Sequence, residues 1–244
     1  ISAQYCTPAA LSNGCGFGDE IDGFEIPGAA FSHLGTGCSN NNYGDFSSDP
    51  ALQIDLQQGV AYGFQVTHNY NSQWVAIWID FDQDDTFDDS DLVFASTSAS
   101  GGTFNAPDPT SGSLTIPLTS TQGLHRMRIV NSFASLPNDP CNPTNSTYGE
   151  THDYTVNILP PPPCTSPTSI TLSSVQAQTA DFTWDDVPNA VNGYEWEVYI
   201  QGDDPSVDTA VSTGTFPSGT TSGQVTAISA STDDDFYMRS DCGA

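Results

Sequence analysis

The sequence predicts an all-β protein with two β-sandwich domains in tandem. Short runs of alternating apolar and polar residues recur along the chain, separated by Gly, Pro, Ser, Thr and Asn. Convincing helical periodicity is absent. Four consecutive prolines at residues 160–163 predict a semi-rigid linker, because proline lacks a backbone N–H and favours an extended backbone. We therefore expect a first domain over residues 1–159 and a second over residues 164–244.

The predicted strands are apolar, aromatic and β-branched runs between turn-forming residues. In the first domain they lie at residues 20–25, 51–56, 61–67, 74–79, 91–96, 113–116, 125–130 and 153–159. In the second domain they lie at residues 169–175, 179–184, 193–200, 210–214, 222–227 and 235–240. Trp184, Tyr194 and Trp196 fall on these strands, and we expect them in the core, since large aromatics fill the interior of a sandwich.

The charge balance excludes several kinds of partner. The chain has 3 Lys and Arg residues against 30 Asp and Glu, a formal net charge of −27. Nucleic-acid binding is excluded, because neutralising phosphates needs clustered basic residues. Anionic membrane surfaces are disfavoured, and no apolar run approaches the roughly 18 residues of a membrane span, so we expect no membrane insertion. High salt or divalent cations relieve such self-repulsion. The charge therefore favours a protein from a marine bacterium, or one adapted to another calcium-rich extracellular medium.

The six cysteines indicate an extracellular protein, secreted or attached to the cell surface. Their number is even and none lies in a C-x-x-C spacing, so three disulfides are expected, although six cysteines allow fifteen pairings. The sequence begins at Ile1, which we interpret as a processed terminus or an excised piece of a larger protein.

An acidic loop at residues 80–91 predicts a calcium site. It places seven aspartates in twelve residues, between the apolar runs at 74–79 and 92–95. In a twelve-residue calcium loop, positions 1, 3, 5, 7, 9 and 12 supply ligands, and here they are Asp80, Asp82, Asp84, Thr86, Asp88 and Asp91. Asp85 replaces the usual glycine at position 6, but Asp tolerates a left-handed backbone. The alternative is a solvated acidic loop. Strand-like flanks favour a calcium loop on a β-hairpin rather than between helices.

The two arginines of the first domain are expected to form structural ion pairs. Arg126 and Arg128 share a face if residues 123–130 form a strand. Glu150 and Asp153 are their predicted partners, on a late, adjacent strand. The alternative is an arginine that grips a ligand.

Two loops combine aromatic and amide side chains, at residues 39–43 and 68–74. Sugar rings stack on aromatic faces, and amides hydrogen-bond hydroxyl groups. The predicted polysaccharide contacts are therefore Asn41, Tyr43, Tyr70, Asn71 and Trp74. Ordinary turn formation is the alternative explanation for these residues.

Several motifs in the first domain resemble the GEVED domain of large secreted proteins from Bacteroidetes. They are YCTP at 5–8, GC at 14–15, YGDF at 43–46, VAIWIDFDQD at 75–84, GLHRMR at 123–128, PC at 140–141 and GETHDY at 149–154. Thr151 and His152 replace the valine and glutamate of the name-giving motif. The resemblance implies disulfides Cys6–Cys15 and Cys38–Cys141.

The second domain resembles a fibronectin type III module through TADFTW at 179–184, NGYEWEVY at 192–199 and FYMRSDCG at 236–243. This resemblance implies the disulfide Cys164–Cys242. A seventh strand is expected after the last motif, where the sequence ends, so we expect the domain to lack its last strand.

No hydrolase, nucleotide-binding or zinc-protease motif occurs in the sequence, and the resembled families are not catalytic. We therefore expect a non-enzymatic, monomeric accessory module of a larger multidomain protein, stabilised by calcium and binding an extracellular polysaccharide. The alternatives are a structural spacer or adhesion stalk, and a domain that binds a collagen-like protein substrate for a secreted peptidase.

Overall fold

The computed structural model describes residues 5–104, 106–142, 146–228 and 232–243. The chain divides into two compact units, Ile1–Pro161 and Pro162–Ala244, so the boundary falls inside the run of prolines. Within the described residues, no helix is long and apolar enough to cross a membrane. The protein is all-β, and the helical segments among the described residues are three short 3₁₀ turns.

The described residues of the first unit form twelve strands, ten of which lie in two main sheets. The strands are β1 (Gly23–Ile26), β2 (Phe31–Leu34), β3 (Tyr43–Asp45), β4 (Ile54–Gln57), β5 (Ala61–Thr67), β6 (Gln73–Ile79), β7 (Leu92–Ala95), β8 (Gly102–Thr103), β9 (Ala106–Pro107), β10 (Thr110–Thr115), β11 (Gly123–Phe133) and β12 (Gly149–Leu159). The first sheet has the order β10-β5-β1-β2, and the second has the order β3-β12-β11-β6-β7. Strands β3 and β4 pair in parallel with successive parts of β12.

The core lies between these two sheets and follows the alternation of their strands. In β5, for example, Tyr62, Phe64 and Val66 are buried while the residues between them are exposed. Burial of such side chains on both inner faces supplies the main driving force for folding. The buried cluster comprises Ile21, Phe24, Ile26, Phe31, Ile54, Leu56, Tyr62, Phe64, Val66, Val75, Ile77, Ile79, Leu114, Ile116, Met127, Ile129, Tyr154, Val156 and Ile158.

The opposite face of the second sheet, here called the outer face, is covered by the N-terminal segment. Trp78 and Val130 point to this face and pack with Phe87, while Tyr5 and Leu136 pack against them. The Cys6–Cys141 disulfide fixes the segment in place. This cover matters for the candidate site, because polar side chains at one end of the outer face become buried beneath it.

The second unit is a sandwich of two three-stranded antiparallel sheets. Its strands are β13 (Thr171–Val175), β14 (Thr179–Thr183), β15 (Gly193–Ile200), β16 (Ser212–Phe216), β17 (Ser222–Thr226) and β18 (Asp234–Asp241), in the orders β13-β14-β17 and β16-β15-β18. Trp184, Tyr194 and Trp196 are buried between the sheets, as predicted. Two packed antiparallel sheets are the architecture of an immunoglobulin-like sandwich, and the six strands of the described residues are one fewer than the seven of its constant-type form.

Two of the three predicted disulfides are wrong. The structure joins Cys6 to Cys141 and Cys15 to Cys38, rather than Cys6 to Cys15 and Cys38 to Cys141. The chain after Cys6 runs alongside residues 141–148: Ala9 N–H donates to the Cys141 carbonyl, and Gly14 forms a bridge with Tyr148. This path carries Cys15 away from Cys6 despite their closeness in sequence. The third prediction, Cys164–Cys242, is confirmed.

The strand predictions fail mainly where strands are short or lack alternation. Residues 51–56 divide into a 3₁₀ turn (Pro50–Leu52) and β4, because the Asp49 side chain caps the turn through the Ala51 N–H. The short strands β2, β3, β8 and β9 were not predicted. Strands β11 and β12 are longer than predicted, and β12 begins at Gly149 rather than residue 153.

Candidate functional site

Three aspartates of the acidic loop converge on one point. The loop begins directly after the last residue of β6, a strand that pairs with β11 on one side and β7 on the other. Asp80, Asp82 and Asp84 each place one carboxylate oxygen within 4.8 Å of the others. Asp80 is buried, whereas Asp82 and Asp84 are exposed. Hard carboxylate oxygens gathered at one point are the ligand type that calcium prefers.

The backbone of the loop wraps around Asp80. Its Oδ1 accepts hydrogen bonds from the Gln83 and Asp84 N–H groups, and its Oδ2 accepts one from the Asp85 N–H. Asp85 adopts φ 64°, the left-handed conformation that its position in the loop requires. The tight turn predicted without glycine is therefore formed.

The remaining predicted ligands lie outside the group of three. Asp91 is buried, and its two oxygens accept hydrogen bonds from the Phe81 and Asp88 N–H groups. Asp88 Oδ1 accepts from the Ser90 N–H and hydroxyl. Thr86 donates its N–H and hydroxyl to Asp84 Oδ1. The structure thus uses Asp88 and Asp91 to close the second half of the loop.

The pKa values in the loop reflect crowding of like charges. Partial desolvation and the neighbouring Asp84 carboxylate raise the pKa of Asp82. Burial raises the pKa of Asp91, although two backbone N–H groups oppose the shift. The hydrogen bonds from Ser90 lower the pKa of Asp88. None of the ion pairs formed by described residues includes an acid of this loop.

Tyr5 connects the acidic loop with the two arginines of the outer face. Its hydroxyl donates to Asp80 Oδ2 at 2.5 Å, and the Arg126 guanidinium lies 4.7 Å from the centre of its ring. Phe87, from the loop itself, packs on Tyr5 at 5.2 Å and lies 4.8 Å from the Arg128 guanidinium. Burial and the bond to Asp80 raise the pKa of Tyr5, so its hydroxyl remains a donor. Tyr5 and Phe87 are contacts that sequence reasoning missed.

Arg126, Arg128 and Asp153 form a compact ion cluster beside Tyr5. Arg128 donates from Nε to Asp153 Oδ1 at 2.7 Å and from Nη2 to Oδ2 at 2.8 Å, a bidentate pair with both side chains buried. Arg126 Nη1 lies 3.0 Å from Asp153 Oδ2 and 3.8 Å from Asp45. Tyr43 donates its hydroxyl to the same Asp153 oxygen. Burial lowers the pKa of Arg128, but the bonds and charge of Asp153 outweigh this and leave it raised.

Arg128 also ties down the segment that covers the site. It donates from Nη2 to the Cys6 carbonyl at 2.9 Å and from Nη1 to the Pro140 carbonyl at 3.1 Å. Cys6 is one half of the Cys6–Cys141 disulfide, and Pro140 directly precedes the other half. One buried guanidinium therefore holds β12 and both arms of the disulfide-linked cover.

The predicted pairing of Glu150 with an arginine is wrong. Glu150 accepts hydrogen bonds from the Ile21 and Ser39 N–H groups and lies 3.2 Å from His152. Side chains alternate along a strand, so Glu150 and Asp153 face opposite sides of β12, and only Asp153 faces the arginines. Burial raises the pKa of Glu150, but His152 and the bonds from Ser39 lower it more strongly.

The predicted polysaccharide contacts do not form one surface. The Tyr43 hydroxyl is engaged by Asp153, and burial and that carboxylate raise its pKa. Asn41 is exposed in a 3₁₀ turn with φ 56°. Tyr70 and Asn71 lie at the β5–β6 connection, where Tyr70 packs on Phe104 and Phe133 and Asn71 donates to the Gly102 carbonyl. Trp74 is half-buried at the start of β6.

A family comparison matches residues 74–157 to the GEVED domain, a stretch of about a third of the chain. The match contains the acidic loop, both arginines and Asp153. No curated protein matches this chain.

Among solved structures, similar chains include the FN1–FN3 domains of chicken CNTN1, with 8% identity, TM-score 0.32 and 78% of this chain covered. The two-domain fibronectin type III segment of chicken tenascin shows 9% identity, TM-score 0.28 and 74% coverage of this chain and 83% of its own. Domains A168–A170 of titin show 12% identity, TM-score 0.29 and 80% coverage of this chain. This chain covers 58% of the CNTN1 and titin segments. The resemblance indicated by the sequence is confirmed: residues 74–157 match the GEVED domain family.

Proposed function

We propose that this chain is a calcium-stabilised, non-catalytic pair of accessory modules from a larger secreted or cell-surface protein, with an extracellular polysaccharide as its ligand. The GEVED match and the immunoglobulin-like second unit are module types that generally serve as accessory domains. Three disulfides fit an extracellular environment.

The observation that supports calcium is the convergence of Asp80, Asp82 and Asp84 in a loop with no internal cation. Three carboxylates within 4.8 Å repel one another, and the neighbouring arginines are engaged by Asp153. A divalent cation at this point would replace repulsion with coordination, and backbone carbonyls and water would supply further oxygen ligands. Such a cation would act as a structural ligand, since a secreted module meets calcium continuously.

Metal binding is tested directly with terbium, an oxygen-seeking calcium substitute whose luminescence is sensitised by nearby aromatic rings. Tyr5 contacts Asp80, and Trp78 lies two residues before Asp80, so bound terbium is expected to luminesce and calcium to displace it. Asp82→Asn should weaken binding at least tenfold. The matched control is Asp89→Asn, an equal change of charge at an exposed loop position outside the group of three. Equal binding by the two variants would exclude a site at Asp80, Asp82 and Asp84.

The polysaccharide proposal rests on Tyr70, Asn71 and Trp74, three half-buried side chains that are close in sequence, the first two at the β5–β6 connection and Trp74 at the start of β6. Polysaccharide binding is tested by affinity electrophoresis in gels containing neutral or anionic polysaccharides, with and without chelator. We expect a polysaccharide in the gel to retard the wild-type protein, and we expect Trp74→Ala to weaken this retardation. If no polysaccharide retards the protein, the polysaccharide role is wrong and a spacer or protein-binding role takes its place; retention on insoluble collagen identifies the latter.

A further inference from the structure

A second candidate site lies at an end of the first unit that the acidic loop does not reach. A cavity of about 260 Å³ is lined by Phe17, Tyr70, Phe133, Tyr148 and Asp19. Neighbouring rings are almost perpendicular: Phe17 to Tyr148 at 80°, Tyr148 to Phe133 at 80°, and Phe133 to Tyr70 at 88°, with centroids 5.5–6.1 Å apart. The four rings therefore form the walls of an aromatic box.

Asp19 is the acidic group of this box. It is only 4% exposed, and its Oδ1 accepts a hydrogen bond from Gln73 Nε2 at 2.7 Å. No described residue donates to its Oδ2. Burial is the main cause that raises the pKa of Asp19, and the nearby Glu20 raises it further. One carboxylate oxygen is thus fixed by the protein, and the other is free to accept a donor from a ligand.

Among the residues that the structure describes, those around Asp19 offer unused acceptors and no cation. Gln73 Oε1 and Asn131 Oδ1 are buried, and neither has a hydrogen-bond partner in the described part of the chain. Gln73 bonds the Asp19 side chain and Asn131 bonds the Asp19 carbonyl, so both amides lie behind Asp19 and support it, without lining the cavity themselves. His68, which lies beside Glu20, is kept neutral by burial, which lowers its pKa to about 4.

The chain has no cation to spare for Asp19. It contains no lysine, Arg126 and Arg128 are paired with Asp153, and Arg239 is paired with Glu195 in the other unit. A buried carboxylate without a positive partner is costly in a low-dielectric environment. Either protonation, which the raised pKa of Asp19 favours, or a cationic ligand relieves this cost, and a cationic ligand would add the charge that the protein does not supply.

We infer that this cavity binds a primary ammonium group on an aliphatic stem, as carried by a lysine side chain of a protein or peptide partner. Aromatic faces attract a cation and also pack against methylene groups. Asp19 Oδ2 accepts an ammonium N–H, which a quaternary ammonium could not offer. A sugar ring fits less well, because two of the four walls are phenylalanines without hydrogen-bonding groups. The net charge of −27 draws basic partners toward the protein.

This inference goes beyond the proposed function, since it concerns a different ligand class and a cavity without any residue of the acidic loop. Excess chelator should therefore leave lysine binding intact while abolishing calcium binding. The cavity shares Tyr70 with the proposed polysaccharide contacts, but Trp74→Ala tests those contacts and Phe17→Ala tests the cavity. The two proposals can thus fail separately.

The test is an NMR titration of the whole chain with Nα-acetyl-lysine methylamide, beside its Nε-acetylated form, in which the ammonium is replaced by a neutral amide. We expect shifts of the amide signals of residues 17–19, 70, 133 and 148 with the charged ligand alone. Equal binding of the neutral form, or binding of glucosamine oligomers without binding of the lysine derivative, overturns the inference.

Two variants locate the ligand. Phe17→Ala removes a ring that is 68% exposed, so folding should be unaffected, and affinity should fall by about 3-fold to 30-fold. The matched control is Phe104→Ala: this ring is 55% exposed and packs on Tyr70 outside the cavity, and its loss should change affinity less than about twofold. Asp19→Asn should weaken binding at least tenfold. Equal affinities of the two phenylalanine variants would place the ligand elsewhere.

Discussion

The arginine cluster and the acidic loop lie next to each other, yet their charges are balanced in different ways. In the cluster, Asp153 receives two guanidinium groups and one tyrosine hydroxyl from the protein itself. In the loop, Asp80 receives backbone N–H groups and the Tyr5 hydroxyl, but no formal positive charge from the described residues. Tyr5 lies between them, with its ring against Arg126 and its hydroxyl on Asp80. The chain has only three cationic residues, and two of them serve one carboxylate.

This difference indicates that the two sites stabilise the fold under different conditions. The cluster contributes wherever its carboxylate is ionised, whatever ions the solution contains. The loop is expected to contribute fully only with a bound divalent cation, because its carboxylates otherwise repel each other at short range. The following changes test that difference, in order of decreasing effect.

The largest effect is expected for Arg128→Met, which leaves Asp153 buried with half of its charge compensation removed. Breaking a buried ion pair at one partner costs about 3–5 kcal/mol. The Cys6 and Pro140 carbonyls would also lose their donor. Urea unfolding followed by hydrogen exchange in β11 and β12 measures this loss for the first unit alone. The control is the double variant Arg128→Met with Asp153→Leu, which should recover part of the lost stability. If Arg128→Met alone costs less than about 1 kcal/mol of stability, the pair is not the buried, bidentate ion pair described here.

Calcium removal is expected to have the next largest effect. A ligand that binds only the native state adds about 2.7 kcal/mol when its concentration is 100 times Kd. For a unit of this size we expect excess EDTA to lower Tm by about 5–10 °C. Asp82→Asn should have a different effect in each buffer. With calcium, the variant should be less stable than wild type because it has lost a ligand. In EDTA, it should be at least as stable as wild type because one repelling charge is gone. If Asp82→Asn lowers Tm equally in both buffers, repulsion does not govern the loop.

The acidic loop shows how far local spacing predicts a site. Asp80, Asp82 and Asp84 converge because residues two apart in a tight turn bring their side chains together, and the left-handed Asp85 was also predictable from its position. Asp153 was predictable as an arginine partner from strand alternation. The same alternation would have placed Glu150 on the opposite face of the strand, away from the arginines. Its pairing was predicted wrongly because the predicted strand began at residue 153 rather than at Gly149.

Contacts between distant segments could not be derived in this way. The pairing of Cys6 with Cys141 depends on the path of residues 7–14 along residues 141–148, which no periodicity encodes. The aromatic box draws its walls from residues 17, 70, 133 and 148. Each of these aromatics, seen alone, fits an ordinary core or turn position, and only the assembled sandwich brings them to one end.

Tyr5→Phe examines the contact between the two sites and should have a smaller effect. It removes one hydrogen bond to a buried carboxylate while keeping the ring on Arg126 and Phe87. A hydrogen bond to a charged group contributes about 1.5–3 kcal/mol, so a loss near the lower end is expected for this half-buried pair. Tyr148→Phe is the control, because the Tyr148 hydroxyl bonds no described residue. Equal stability of the two variants in urea titrations would show that Tyr5 contributes only its ring.

The smallest effect is expected at the third arginine, which provides the exposed counterpart of the buried cluster. Arg239 Nε lies 2.5 Å from Glu195 Oε2, closer than either arginine lies to Asp153, yet the side chains are 74% and 41% exposed. Water and salt screen such a pair, and exposed ion pairs contribute about 0–1 kcal/mol. Arg239→Gln should therefore destabilise the second unit by less than about 1 kcal/mol, and 0.5 M NaCl (about a fivefold increase over a standard buffer) should remove most of the difference. Hydrogen exchange in β15 and β18 under urea measures the stability of this unit. As the control, the larger loss of stability caused by Arg128→Met in the first unit should persist at the same salt concentration. A salt-insensitive loss at Arg239 as large as that at Arg128 would show that distance, rather than burial, sets the strength of ion pairs in this protein.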